Sequence, residues 1–454
     1  MSNIKMSTPA AYIKFAEAEA KKIPDIGPDV APRPVNKAAI IGAGTMGGGI
    51  AMAFANAGIP VTLIDADEAG LLRGIARVKD NYQSSVKRGR LTQEAIDERL
   101  ARVTGAVGLT AVADADLIIE AVFEDISLKQ NIFRELDKLA KPGAILATNT
   151  SGLDVDAIAA VTSRPQDVAG AHFFSPAHVM RLLEVIRAEK TAPDVIATLM
   201  QLGPRLGKSA VLARIYPGFI GNALFRNYTR EAHFLVEEGA LPYQVDKALT
   251  DFGYAMGVFA VHDLGGNDVG LQTRKAQMAT RPKDRRWNDL IIRLCDLGRL
   301  GQKAGKGWYK YEPGSRTPER DPELEDIVIA YSAEIGIIRR EISANEIIKR
   351  CLYSMINEGA KLLEHKVALR PSDIDVISVT GYGFPIARGG PMHYADQIGL
   401  KNVYADIQRF HEQLGFWWQP APLLKKLAEA GSSFAAYQQA GTLGRAPVRG
   451  VGGR

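Results

Sequence analysis

Between residues 38 and 65 an apolar run, a glycine-spaced turn, a helical stretch and a second apolar run follow one another, and few folds accommodate that order. Ile40-Ile41-Gly42-Ala43-Gly44-Thr45-Met46-Gly47 has the spacing G-x-G-x-x-G where the first run ends. In a strand–turn–helix context the first glycine permits the tight turn. The second lets the backbone approach a pyrophosphate, and the third lets helix and strand pack closely. Unpaired N–H groups at the helix start favour an anion, so Thr45 and Met46 join Gly42, Gly44 and Gly47 as cofactor-binding candidates. The second run ends at Asp65, eighteen residues past Gly47. An acid there accepts hydrogen bonds from a ribose diol and repels a 2′-phosphate; the next residues are Ala66 and Asp67, with no arginine, so NAD is expected over NADP. The competing reading of Asp65 is an ordinary exposed turn acid.

Short apolar runs continue at 117–121, 144–148, 168–173 and 210–212, separated by amphipathic stretches such as 50–57 and 128–139. Strands alternating with helices predict a mostly parallel sheet covered on both faces. After Tyr216-Pro217-Gly218 the periodicity turns helical, at 219–238 and 243–252. A second helical set fills the last third, and 358–377 resembles 231–250: in each a long helix ends, another begins near an acid (Asp246 or Asp373), and a Gly-aromatic turn follows. Duplication explains that shared order better than chance. The expected fold is therefore α/β plus all-α, a Rossmann-type doubly wound mostly parallel sheet followed by two tandem helical domains related by duplication. The boundaries read as 1–36 for an N-terminal helix (11–22) and a proline-rich linker, 37–213 for the NAD-binding domain, and 214–330 and 331–454 for the helical domains.

Bulk properties exclude several classes. A net charge of +5 from 56 basic and 51 acidic residues, in 454, is too mild for a nucleic-acid binder. Two cysteines, Cys295 and Cys351, make no disulfide framework, and no Cys/His cluster has zinc spacing, so no metal is expected. No apolar run is long enough to span a bilayer, and no signal peptide or peroxisomal C-terminal address is read, so the expectation is a cytoplasmic protein without membrane insertion. The Gly/Lys-rich 301–307 stretch lacks phosphate-loop spacing and reads as a solvated loop.

Oxidising an alcohol by hydride transfer needs a base for the hydroxyl proton. In an open parallel sheet such groups lie at carboxyl ends of strands, which singles out Glu124, Asn149-Thr150-Ser151 and His172. Histidine titrates near neutrality and is the best base, although a histidine in an apolar strand is more often a satisfied core residue. Glu184 shifts the balance. It lies in the apolar run 182–186, where a carboxylate needs a partner, and a turn at Ser175-Pro176 would bring it beside His172 to fix the imidazole tautomer. The alternative for the pair is a structural ion pair.

HFFSPAHVMRLLEVI (172–186), GAGTMGGGIA (42–51), AVFE (121–124), NTS (149–151) and GFIGN (218–222) together resemble the 3-hydroxyacyl-CoA dehydrogenase family of β-oxidation. Over about residues 10–440 the chain is most similar to the dehydrogenase half of peroxisomal-type and bacterial bifunctional enoyl-CoA hydratase/dehydrogenases. The resemblance implies oxidation of an (S)-3-hydroxyacyl-CoA thioester to 3-ketoacyl-CoA with NAD. It implies His172 as general base oriented by Glu184, and Ser151 and Asn222 on the substrate's 3-oxygen or thioester region. Val122, Glu124, Lys129 and Ser151 would line the cofactor and coenzyme A entrance. Ser175, where many relatives carry Asn, would contact the nicotinamide. Each of three has a plainer reading: Ser151 as N-cap of a helix over 153–161, Asn222 as a solvent-facing helical residue, Lys129 as a surface lysine. Lys87 and Arg88 are candidates for the coenzyme A phosphates or merely a solvated helix end. Since the chain begins just before the linker, no enoyl-CoA hydration is expected. A duplicated helical domain predicts a monomer, with loose association with a separate hydratase or thiolase as the partner expectation. Two other functions compete: another NAD-dependent hydroxyacid dehydrogenase on this plan, in which a lysine of the helical domain carries the proton, and a non-catalytic NAD-binding protein.

Overall fold

The computed structural model describes residues 8–443 except 272, 273, 276 and 277. They fall into two compact units: one formed by the described part of residues 1–222 with 365–382 and a short C-terminal stretch, the other by 223–364 and 383–439.

The first unit is built on eight strands: β1 (Ala38–Ile41), β2 (Val61–Asp65), β3 (Val103–Val107), β4 (Leu117–Glu120), β5 (Ile145–Thr148), β6 (Val168–Phe173), β7 (Leu182–Arg187) and β8 (Ser209–Arg214). Their order is β3-β2-β1-β4-β5-β6-β7-β8, parallel throughout except for the β6–β7 pair. The strand order reverses between β1 and β4, the crevice where such sheets hold ligands. Central strands such as β1 and β4 are buried at every position, which is why they read as continuous apolar runs. The sequence gives no such run for β3: Val-Thr-Gly-Ala-Val is an edge strand with no fully buried residue.

Helix α1 (Pro9–Ala20) is capped by Thr8 and begins on proline, two residues ahead of the predicted start. The linker behind it makes turns at 23–26 and 27–30. Arg33 pins it with ion pairs to Asp167 and Asp194, each 2.8 Å. Helices α2 (Thr45–Asn56), α3 (Glu68–Lys87), α4 (Gln93–Leu100), α5 (Ile126–Leu139), α6 (Val155–Ala159) and α7 (Pro193–Arg205) connect the strands. Residues 365–382 belong with this unit despite their distance in sequence: Arg214 N–H donates to Val367 O at 3.0 Å. The Pro371–Tyr382 helix packs on α1, with Tyr12 Oη donating to Asp375 at 2.7 Å. The Arg370 guanidinium donates to the carbonyls of Glu19 and Lys22 at the end of α1, where a cation is favoured.

The second unit is helical. Helix α8 starts at Gly221 and runs to Glu238, followed by α9 (Pro242–Phe252) and α10 (Val258–Gly265). Arg350, on the Ala344–Glu364 helix, is buried against Glu231 and Glu238 of α8. The 301–307 stretch is only partly the solvated loop expected: 303–306 are exposed, but Gly301 and Gly307 are buried, as are Trp308, Tyr309 and Tyr311 just after it.

The repeat is visible in matching polar devices. Asp263 is the sixth residue of α10 and accepts from Trp308 N and Tyr309 N at 2.8 and 2.9 Å. Asp396 is the sixth residue of the Pro391–Ile398 helix and accepts from Phe434 N and Ala435 N at 2.8 and 2.9 Å. Both helices end on a positive-φ glycine, Gly266 and Gly399. Helix starts at Pro242 and Pro371 correct one register: Asp246 corresponds to Asp375, two residues past the expected Asp373. The compact units do not follow the tandem boundary at 330. We propose that the tandem boundaries 214–330 and 331–454 describe ancestry, since the compact units cut across them.

Candidate active site

Everything in the candidate site lies in the first unit. In the turn after β1 two of the three glycines are required sterically. Gly42 has φ +98°, and a Cβ there would sit 2.8 Å from Ala121 O. At Gly47 a Cβ would lie 1.7 Å from Gly42 O, so nothing larger allows α2 this close to the loop. At Gly44 a Cβ would meet nothing within 4 Å, so this glycine faces open space. The α2 N-terminus has no side-chain cap, leaving its N–H groups for an anion; exposed Thr45 and partly buried Met46 open the helix. These residues fit a dinucleotide pyrophosphate. Asp65 is not a freely exposed turn acid. Its Oδ2 accepts from Ala43 N and its Oδ1 from Ala66 N, both at 2.8 Å, which fixes the carboxylate beside the glycine turn. Asp65→Asn keeps acceptor geometry on one oxygen but removes the charge. NADP is therefore expected to gain about tenfold on NAD in kcat/KM, measured as the ratio for the two cofactors.

The turn after β4 holds a buried charge network. Glu120 is fully buried and accepts from Lys129 Nζ (2.7 Å), Thr148 Oγ1 (2.7 Å) and Val122 N (2.8 Å). Lys129, in the first turn of α5, is 1% exposed and also approaches Glu124 at 3.4 Å. The surface-lysine reading is thereby corrected: Lys129 is a buried cation shared between two carboxylates. Glu124 accepts from Thr150 Oγ1 (2.7 Å), Ser151 N (2.7 Å) and Ser151 Oγ (2.9 Å). Burial alone would push the Glu124 carboxyl up, but the Thr150 and Ser151 donors and the Lys129 charge hold it below the usual range. Ser151 is no helix cap, since α6 starts at Val155 and Asp154 caps it. Glu120 carried a signal in the sequence, a carboxylate inside an apolar run, the same cue that marks Glu184.

Strands β6 and β7 place His172 directly opposite Glu184, so both side chains emerge on one face. His172 Nδ1 meets Glu184 Oε2 at 2.9 Å, with His172 5% and Glu184 0% exposed. The other carboxylate oxygen accepts from Ile220 N (3.1 Å) and Gly221 N (2.9 Å). A carboxylate with these donors requires the Nδ1–H tautomer of a neutral imidazole, which leaves the lone pair on Nε2. Phe174 stacks obliquely on the imidazole at 4.2 Å and Phe219 lies 5.9 Å away. Phe219 takes φ +49°, a left-handed backbone seldom adopted by a bulky residue. Asn149 Oδ1 accepts from Phe173 N at 2.8 Å, tying the ends of β5 and β6.

Asn222 sits at the start of α8 and is partly buried rather than solvent-facing. Its Nδ2 donates to Ser151 O at 3.1 Å and its Oδ1 accepts from Tyr382 Oη at 2.7 Å. Ser175 is exposed at the turn that joins β6 to β7. Beneath that turn Lys208 donates to the carbonyls of Ala177 and Met180, and burial pushes its ammonium down to about 8. Lys87 and Arg88 are exposed at the end of α3. Among the described residues no group of three or more His, Cys, Asp or Glu could hold a metal, and no helix is long and apolar enough to cross a membrane.

A glycine-fingerprinted parallel sheet carrying a histidine–carboxylate pair defines the class, an NAD-dependent dehydrogenase. The family model described as 3-hydroxyacyl-CoA dehydrogenase, NAD binding domain, matches residues 37–215. The one described as 3-hydroxyacyl-CoA dehydrogenase, C-terminal domain, matches 218–311 and 347–441, two segments as the repeat requires. The chain is 45% identical over 415 residues to a peroxisomal bifunctional enzyme of Danio rerio, covering 88% of this chain and 57% of that protein. It is similar in structure to the dehydrogenase part of multifunctional enzyme 1 from C. elegans (TM-score 0.69, 32% identity, 91% of this chain and 96% of that one). It is also similar to 3-hydroxybutyryl-CoA dehydrogenase from Escherichia coli (TM-score 0.75, 28% identity, 89% and 100%). The chain spans somewhat more than half the length of the curated relatives it matches. It belongs to the 3-hydroxyacyl-CoA dehydrogenase family, with NAD as cofactor.

Proposed function

We propose that the chain oxidises an (S)-3-hydroxyacyl-CoA thioester to the 3-ketoacyl-CoA with NAD. The observation that carries this is the buried His172–Glu184 pair at the strand ends of a dinucleotide-binding sheet. Bound NAD supplies the hydride acceptor, and its pyrophosphate is assigned to Gly42, Gly44, Thr45, Met46 and Gly47, with Asp65 on the ribose diol. His172 Nε2 takes the hydroxyl proton. Glu184 keeps the imidazole in the productive tautomer and stabilises the imidazolium that forms. Its second oxygen, held by two backbone N–H groups, keeps the carboxylate from turning away. Ser151 and Asn222, joined by a hydrogen bond, are assigned to the substrate's 3-oxygen and thioester. Val122, Glu124 and Ser175 are assigned to the cofactor side. Lys129 acts there only through Glu120 and Glu124. In the reverse direction the protonated His172 donates.

A hydroxyacid dehydrogenase with a lysine of the helical domain as proton carrier is disfavoured because the His172–Glu184 pair already supplies a base at the strand ends. A non-catalytic NAD-binding protein has no use for a base aligned with its carboxylate. The relatives' names weigh toward a peroxisomal or glyoxysomal setting, against the cytoplasmic location expected from the sequence. A monomer that associates loosely with a hydratase or thiolase is our reading of the duplication. NADH consumption at 340 nm with acetoacetyl-CoA tests the activity, with acetoacetate as the control. CoA-dependent loss of NADH is expected. No loss with acetoacetyl-CoA, or equal loss with acetoacetate, overturns the assignment.

A further inference from the structure

Asn222 is a primary amide, and an amide can bond through either end. Which end faces the substrate decides whether it donates or accepts. One neighbour is the carbonyl of Ser151, which can only accept, so the Nδ2 end must face it, as it does at 3.1 Å. The Oδ1 end then needs a donor, and Tyr382 Oη supplies it at 2.7 Å. With both ends engaged the amide cannot flip, and one Nδ2 hydrogen is left over.

Tyr382 reaches this place by construction. It ends the Pro371–Tyr382 helix, about 160 residues downstream of Asn222. That helix is held to the unit by the Tyr12–Asp375 hydrogen bond and by Arg370 on the last carbonyls of α1. Its phenol ring meets Phe174 edge-on at 5.5 Å, and Phe174 in turn lies 4.2 Å from the His172 ring. The neighbour of Asn222 is a glycine, and a Cβ at Gly221 would sit 2.6 Å from Tyr382 Cε2. Any side chain at 221 would displace the ring, so the backbone is cut back to let the phenol approach the amide.

We propose that Tyr382, contributed by the second helical repeat, is a positioning residue that fixes the Asn222 amide and acts on the reaction through it. The inference rests on the dehydrogenase reading above. It gives the second repeat a role in turnover: a helix from the duplicated segment, clamped by the N-terminal helix, sets one polar group of the site.

A double-mutant cycle on the full chain tests it. Tyr382→Phe keeps the ring and removes only the hydroxyl. It is expected to lower kcat with acetoacetyl-CoA about tenfold, the scale of one buried hydrogen bond, while the NADH Kd stays within about twofold. In an Asn222→Ala background the same change is expected to move kcat by less than about twofold, because the group through which Tyr382 acts is gone. Equal losses in both backgrounds overturn the proposal, as does a single variant as active as the wild type. Loss of NADH binding by Tyr382→Phe also overturns it, because the hydroxyl would then support the unit at large. An inactive wild type instead removes the dehydrogenase reading and this inference with it. An active wild type with independent effects removes this inference alone.

Discussion

His172→Gln is expected to lower kcat by about three orders of magnitude and to leave the NADH Kd within about twofold of wild type. Glutamine has no titratable nitrogen, so the hydroxyl proton has no acceptor at the position of Nε2. It can still donate an amide N–H to Glu184, and Glu184 keeps the backbone donors of Ile220 and Gly221. The buried carboxylate is therefore not orphaned, and large destabilisation is not expected. The glycine turn and Asp65 belong to other strands, β1 and β2, which explains why cofactor affinity should not follow turnover. Steady-state rates with acetoacetyl-CoA, fluorescence titration of NADH and a thermal melt of the same preparation make the test. A histidine with a purely structural role gives the opposite pattern: a lowered melting temperature and weakened NADH binding, with kcat per folded molecule little changed.

The parts of this site that were legible in the sequence share one property: they are local or periodic. The glycine turn is a contiguous motif, and β1 and β2 around it are buried on both faces, so they announce themselves as apolar runs. The His172–Glu184 pair could be anticipated because a polar residue in each of two adjacent apolar runs, joined by a short turn, has few ways to avoid its counterpart. Register then made them direct neighbours. Edge strand β3 was not legible, because a strand with one free edge and exposed faces needs no apolar run. Lys129 was misread for a related reason. A lysine on an amphipathic helix is usually solvated, and only Glu120 on another element makes its burial affordable. Tyr382 stood out in the sequence only as the aromatic of the second repeat's Gly-aromatic turn. It lies far from Asn222 in sequence, and nothing in GYGFP distinguishes a site residue from a turn aromatic. The assignment of 365–382 to the first unit was hidden likewise, since its helix carries the same pattern as its repeat counterpart α9 in the second unit.

The second large effect concerns that misread lysine. Lys129→Met retains most of the side-chain volume but removes the cation from two carboxylates. Glu120, 0% exposed, would keep only Thr148 Oγ1 and Val122 N as donors. Removing one partner of a buried ion pair typically costs about 3–5 kcal/mol, because the remaining charge is left uncompensated. That is the loss expected for the transition of the sheet-bearing unit, followed by thermal or urea unfolding. Glu120→Gln in the same chain is expected to recover most of it, since a neutral amide needs no counter-charge. The loss should precede any change in chemistry. Glu124 still has Thr150 and Ser151 as donors, so kcat per folded molecule is expected to fall only a fewfold, well short of the His172 variant. A lysine that instead lined the entrance for coenzyme A would behave in reverse. Lys129→Met would raise the acetoacetyl-CoA KM, leave stability within about 0.5 kcal/mol as a surface substitution does, and gain nothing from Glu120→Gln. The rescue decides between the two, because only a charge imbalance in the buried pair can be corrected by neutralising the partner.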